Sequence, residues 1–276
     1  MQSEKPLIVA SRTDQASLNI AQNIIQLTGI TRQNPSIELE FYSSKDNDTR
    51  LAILGKEVIY TEPGDLPEAH SAIIFVSKHR SSTDTPALTV HATGNLTSEA
   101  LYGGRPEEVS FVEPSRLQSA LVTMTSEVKR LELSIDVTME ATHHGPTSFP
   151  TPTCFVEVGS GPSQWRDPVL GEIAAKAALA AAGSSPRVGK LAVGFGGTHY
   201  PDRQTKLNLD GVFQIGHVVS KYAFDRNISD QVLRDTFDKT VGGCKTALVE
   251  WKGLKGEQRR KLLDKFSAWG IEPVRL

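Results

Sequence analysis

Cysteine is scarce in this chain of 276 residues: Cys154 and Cys244 are the two, and neither stands in a Cys-x-x-Cys pair. That excludes a disulfide framework, and it excludes zinc fingers and ribbons, which need paired thiolates. Residues 1–10 hold one lysine and a four-residue apolar run, too little for a secretory leader. The two thiols are therefore expected to be reduced and the protein cytoplasmic. No stretch approaches the ~18 consecutive apolar residues of a membrane span. No charge sign dominates either, since the net charge is -2. A strongly basic protein that coats nucleic acid is excluded, although a local basic surface is not. Internal repeats, low-complexity tracts and a linker that would split the chain are all missing.

What is present is a globular mixture, 38% apolar and 22% charged. At this size about 73% of the unfolded surface is buried on folding, enough for a sizeable core. Charge is uneven along the chain. From Lys239 onward there are nine Lys or Arg against four Asp or Glu, and the preceding residues carry 21 against 28.

Short apolar runs alternate with longer amphipathic ones. Residues 7–10 read as a buried strand, and residues 15–27 as a helix with Ala16, Ile20, Ile24 and Leu27 on one face, stopped by Gly29. Residues 37–41 alternate like a strand, and 51–54 with 57–60 suggest a hairpin about Gly55. Residues 72–77 form a continuous apolar run, as an interior parallel strand does. Residues 88–91 read as a short strand, 115–129 as a helix, and 133–142 as an alternating strand. Residues 153–158 are a further strand. Asp167-Pro168 opens an Ala-rich helix that runs to Ala182. Residues 189–193 are a strand running into glycines, and 230–239, 245–251 and 257–269 continue the rhythm. The reading is a single α/β domain over residues 1–276, with a mostly parallel central sheet flanked by helices.

Five polar clusters fall at the ends of these elements. The densest is Glu140-Ala-Thr-His143-His144-Gly-Pro-Thr147. Neighbours alternate in a strand, so Glu140, Thr142 and His144 are expected on one face and His143 on the core side with Met139 and Ala141. A carboxylate and an imidazole there suit acid/base work or metal ligation. The second cluster is Ser77-Lys78-His79-Arg80-Ser81-Ser82, an anion seat or an ordinary solvated loop. The third delivers His91 toward Gly94 and Asn95, which suits either substrate orientation or a turn. The fourth is Gly194-Phe-Gly196-Gly197-Thr-His199-Tyr200. Its glycines can offer backbone amides to an anion, but its spacing is not that of a dinucleotide loop. The fifth is Gly216-His217 to Lys221, where the last two share a face if the segment is helical. Six of the seven histidines lie in these clusters, which favours one convergent site. The segment 251–265 holds six cations and two acids, and reads as an amphipathic helix or as a docking face for a polyanion.

Taken in order, the strings around His79, His91 to Asn95 with Gly103-Gly104, Glu140 to Thr147, Phe155 to Ser160 with Trp165, Gly194 to Tyr200, and Gly216 to Tyr222 resemble the D-aminoacyl-tRNA deacylases of archaea and plants. The resemblance implies hydrolysis of the ester joining a D-amino acid to the 3′ end of tRNA. It also implies a zinc requirement and a fold related to peptidyl-tRNA hydrolase and phosphorylase-like proteins. On that basis His144, Glu140 and His91 are expected at the reacting water, and His79, His143 and His199 at a metal. Lys78, Arg80, Asn95, Gly196, Gly197 and Lys221 are expected to hold the substrate. A zinc-dependent peptidase or amidohydrolase, or a non-catalytic tRNA-binding protein, would use the same residue types.

Overall fold

The computed structural model describes every residue except 1–4, 35, 37, 45–47, 68–69, 82–84 and 184–188. Ile37, expected in a strand, and Ser82, expected in the anion loop, lie outside the described residues. In chain order the elements are β1 (Lys5–Ser11), α1 (Gln15–Thr28), β2 (Thr31–Arg32), β3 (Leu39–Ser43), β4 (Arg50–Leu54), β5 (His70–Lys78), β6 (Ala87–His91), β7 (Gly94–Asn95), β8 (Glu108–Val109) and α2 (Pro114–Arg130). They continue with β9 (Asp136–Met139), β10 (Thr153–Gly159), α3 (Pro162–Trp165), α4 (Pro168–Ala182), β11 (Lys190–Phe195), α5 (Asp202–Leu209), β12 (Phe213–Val219), α6 (Lys221–Asp225), α7 (Asp230–Asp238), β13 (Thr246–Val249), α8 (Gly256–Trp269) and β14 (Glu272–Arg275).

The strands divide between two main sheets. One has eight strands in the order β2-β3-β4-β1-β5-β10-β6-β9, and the other four in the order β12-β11-β13-β14. The four-stranded sheet is all parallel. In the larger sheet β4, β1, β5 and β10 run parallel, β6 runs against β10, and β9 is parallel to β6. The expected mostly parallel α/β arrangement with flanking helices is present, built from two sheets where the sequence suggested one. The expected hairpin about Gly55 is not formed. β4 pairs instead with β3 and β1, and Val58–Tyr60 is a 3₁₀ turn.

Helix α4 packs between α1 and α2 over one face of the larger sheet. Five of its eight buried residues are alanine (174, 175, 177, 178 and 181), which allows close approach of the neighbouring helices. The core beneath includes Ile74, Val76, Val156, Leu88, Val90 and Met139. By strand alternation the next residues along, Phe75, Ser77, Phe155, Glu157, Thr89 and His91, face the other side. That opposite face is apolar near β1 and β4, with Phe75 stacked on Phe155 at 5.0 Å, and becomes polar toward β6 and β9.

Asp14 ties the first helix to the strand that leads into the polar region. Its carboxylate caps α1 through the amides of Ala16 and Ser17, and its other oxygen accepts from the Lys78 amide at 2.9 Å. Ser17 completes the clamp by donating to the Val76 carbonyl at 2.6 Å. Asp14→Ala removes a helix cap and leaves a partly buried amide unpaired. It should cost about 2 kcal/mol in chemical denaturation, and a loss below ~0.5 kcal/mol would contradict this role.

Candidate active site

Register alone lines up the acids and bases of the polar face. Glu157 of β10 pairs across to Ser77 of β5 and Thr89 of β6. Val90 of β6 pairs with Met139 of β9, so His91 stands beside Glu140 just past the end of β9. These five residues therefore project from one sheet face, where a purely strand-end site was expected. Glu140 and Glu157 are almost fully buried, at 1% and 3% exposure. A bare carboxylate there would cost several kcal/mol, so partners are obligatory.

Histidines supply most of those partners. His79 lies between the acids, its Nδ1 at 3.1 Å from Glu140 Oε1 and 3.5 Å from Glu157 Oε2. Burial opposes charge on His79, but the two carboxylates outweigh it and push the pKa up to about 11. The ring is thus held as a cation, and its Nε2 lies 3.0 Å from the Tyr200 hydroxyl. His199, half-buried, donates from Nε2 to Glu140 Oε2 at 2.6 Å. Burial also resists ionisation of Glu140, yet His199, His79 and the nearby His143 hold its carboxyl well below the usual range. Glu157 is likewise held low against burial by His79 and His91, and it accepts from Ser77 Oγ at 2.6 Å.

His91, His143 and His144 form a second layer. Ring centroids are 4.2 Å apart for His91 and His143, 4.8 Å for His91 and His144, and 4.3 Å for His143 and His144. Each ring turns Nδ1 to a backbone carbonyl: Ala92 at 3.1 Å, Ala141 at 2.8 Å and Gly145 at 2.7 Å. Those bonds fix the proton on Nδ1 in the neutral rings and leave three Nε2 lone pairs free. The Nε2 of His91 is buried without a hydrogen-bond partner, 3.8 Å from Glu157. Burial disfavours a proton on His91, but Glu157 and Glu140 outweigh it and shift its pKa upward. Desolvation, then the neighbouring His91, lowers His144 to about 4 and moves His143 the same way.

The expected strand alternation through His143 and His144 is not kept. The strand ends at Met139, the Ala141 and Thr142 amides pair with the carbonyls of His199 and Val218, and His144 has φ of 41°. That left-handed kink brings two successive histidines to the same side, so His143 joins the site instead of the core. Gly159 is required by the same crowding, because a Cβ there would lie 2.7 Å from the Cβ of His79.

The other expected residues sort less uniformly. Lys78 and Arg80 line the same cleft, of about 560 Å³, with Lys78 paired to Glu57 at 2.6 Å and Arg80 over the Trp165 ring at 5.4 Å. Asn95 directs its amide to the carbonyls of Gly103 and Arg105 and so shapes a loop. The Gly196 amide bonds the Val219 carbonyl and leaves no free donor for substrate there. The Gly197 carbonyl accepts from the Lys221 amide, and a Cβ on Gly197 would strike Glu250. His217 and Lys221 share no helical face, since His217 is on strand β12 and Lys221 opens α6. In the segment 251–265, Lys255, Lys261 and Lys265 are paired to acids and Arg259 to carbonyls, which supports the plain amphipathic helix. Both cysteines are buried, and burial pushes Cys154 up to about 12, so neither is a nucleophile. Sequence reasoning gave no catalytic role to Glu157, Thr89 or Tyr200, and it placed Ser77 in a possible anion seat, where it instead bonds Glu157. The one available signal for Glu157 was a charge inside the apolar run Cys-Phe-Val-Glu-Val.

His217 has a structural task. Its Nε2 donates to the Ser110 carbonyl at 3.0 Å, and its Nδ1 faces the Thr142 hydroxyl at 3.1 Å. Burial drives its pKa down to about 3. The unfolded chain takes up a proton at this residue below about 6.5, and the folded chain does not until about 3. The stability this contributes is complete above 6.5 and is lost as pH falls through that window. Thermal midpoints recorded between pH 7 and 4 should therefore fall, and His217→Asn should give a shallower fall. Equal slopes for the two proteins would refute the assignment.

A family model described as D-aminoacyl-tRNA deacylase matches residues 66–274. Curated relatives of that name include one from Methanosarcina mazei, 35% identical, with 99% of this chain and 93% of the relative covered. One from Aeropyrum pernix is 40% identical over 70% of this chain and 71% of its own, and one from Pyrococcus furiosus is 31% identical over 98% and 99%. A crystal structure described as a conserved protein of unknown function superposes with a TM-score of 0.88 at 26% identity, covering all of this chain and 96% of the other.

Proposed function

The chain belongs to the D-aminoacyl-tRNA deacylase family, and we propose that it hydrolyses the ester joining a D-amino acid to the 3′ end of tRNA. The observation that carries this reading is the meeting of four histidines and two buried glutamates in one cleft, with the buried His91 packed against His143 and His144 behind it. An aminoacyl ester is already activated, so a positioned base, an oriented water and positive charge near the developing oxyanion suffice.

In this reading Glu140 orients His199. The 2.6 Å bond fixes the proton on Nε2 of the neutral imidazole, and Nδ1 is the base that takes a proton from the attacking water. His79, cationic between Glu140 and Glu157, holds both carboxylates in place. The residues that fit zinc are His91, His143 and His144. Their ligating atoms lie within 4.8 Å of one another, their Nδ1 atoms are tied to carbonyls, and His91 Nε2 is buried without a partner beside a carboxylate. Zinc bound there would supply Lewis acidity toward a water or a carbonyl oxygen. In this reading His91 and His144, expected from the sequence at the reacting water, join His143 at the metal, and His199, expected at the metal, acts as the base.

In this reading Lys78 and Arg80, which line the cleft, meet the phosphate of the terminal nucleotide. The kinship to peptidyl-tRNA hydrolase and phosphorylase-like folds belongs to the same reading, supported by the mixed sheet with helices on one face. No helix among the described residues is long and apolar enough to cross a membrane. A substrate made during translation supports a cytoplasmic location.

Matched D- and L-aminoacyl-tRNA, with and without a chelator, test the proposal directly. The D-ester should be cleaved at least a hundredfold faster, and chelation should abolish this until zinc is restored. Cleavage of D-amino-acid peptides or amides without turnover of charged tRNA would favour the amidohydrolase alternative. Binding without turnover at any zinc level would favour a tRNA-binding protein. Separately, His91→Ala and His143→Ala should lose bound zinc by elemental analysis. Full zinc content in both variants would remove these residues as ligands.

A further inference from the structure

Leu101 and Tyr102 are the most exposed large apolar side chains among the described residues, at 74% and 64%. They do not sit on a loose loop. The Asn95 amide grips the Gly103 and Arg105 carbonyls at 2.8 and 3.1 Å, and the Gly145 amide bonds the Tyr102 carbonyl at 3.0 Å. Thr147 accepts from the Arg105 amide at 2.9 Å and donates to Glu108 at 2.6 Å. Gly103, at φ of 75°, presses so close to the Ile59 carbonyl that a Cβ would collide with it. A loop so tied down that still points its apolar side chains into water marks a contact surface.

These side chains line a second cavity, of about 300 Å³, with Tyr222 (47% exposed) completing its apolar wall. That cavity and the catalytic cleft share Tyr102, His143 and His144, so Tyr102 stands on the ridge between them. Lys221 holds its ammonium 5.3 Å from the Tyr222 ring, and Arg226, which also pairs with Glu99, lines the cavity.

We propose that Leu101, Tyr102 and Tyr222 form a stacking shelf for the unpaired bases that precede the terminal nucleotide of tRNA. The inference rests on the deacylase reading, which puts the ester at the histidines. The single strand leading to that ester must leave the cleft through an adjoining surface. The shelf is an adjoining cavity that offers the exposed aromatic faces of Tyr102 and Tyr222 for bases and cations for phosphates. Stacking is tolerant of base identity, which suits an enzyme that must accept many tRNAs.

The test uses the full chain and an RNA oligonucleotide ending in CCA, with 2-aminopurine in place of the next-to-last base. The parent protein should bind it and quench its fluorescence. Tyr102→Ala and Tyr222→Ala should each weaken binding by about tenfold and relieve the quenching, while Tyr102→Phe should retain both. Both positions are exposed, so the variants are expected to fold. Unchanged affinity and quenching in the alanine variants would overturn the shelf, as would tight binding by the parent without quenching. Hydrolysis of D-aminoacyl-tRNA by the parent is followed in parallel. If the parent turns over and the alanine variants bind the RNA as well as it does, the shelf falls and the deacylase reading stands. If the parent does not turn over, that reading falls and takes the shelf with it.

Discussion

Two carboxylates out of reach of water, on one face of a sheet, set the terms for the rest of this structure. Glu140 and Glu157 stand beside each other's partners at 1% and 3% exposure. Neither can remain ionised without positive charge or hydrogen-bond donors close at hand. His79 meets both, His199 bonds the first, and Ser77 bonds the second. An apolar face would be cheaper to fold, so such a costly polar region is better explained by chemistry than by stability.

The arrangement also sorts the imidazoles by task. His79 faces carboxylates on one side and a tyrosine hydroxyl on the other, and is held as a cation. His143 and His144, held neutral by burial with backbone carbonyls at Nδ1, present lone pairs at Nε2, while His91 has the same Nδ1 bond but turns Nε2 toward Glu157. His217, deep between Ser110 and Thr142, is kept neutral by burial and serves packing. Identical side chains thus take a cationic form and two neutral tautomers through their neighbours alone.

The backbone provides the positions. Strand β6 runs against β10, which sets His91 and Thr89 beside Phe155 and Glu157. The exit of β9 is caught by the second sheet through the carbonyls of His199 and Val218, which carries His199 to Glu140. The site therefore spans both sheets, and it depends on tight approaches such as Gly159 against His79.

Local pattern was enough for the elements whose physics is local. The helix at Gln15–Thr28 with its Gly29 stop, the interior strand at His70–Lys78 and the Pro-opened helix at Pro168–Ala182 could be read directly, because periodicity and caps act within a few residues. The crowding of histidines into polar, turn-edged clusters likewise pointed to one site. Pairing between distant strands could not be read in this way. It decided that residues 57–60 form no hairpin, that His143 leaves the core, and that the Gly196 amide is taken by Val219. It also drew in Glu157 and Tyr200. Which groups share a pocket is set by register and by the docking of one sheet on another, and those are sums of many weak long-range contacts that no short stretch of sequence contains.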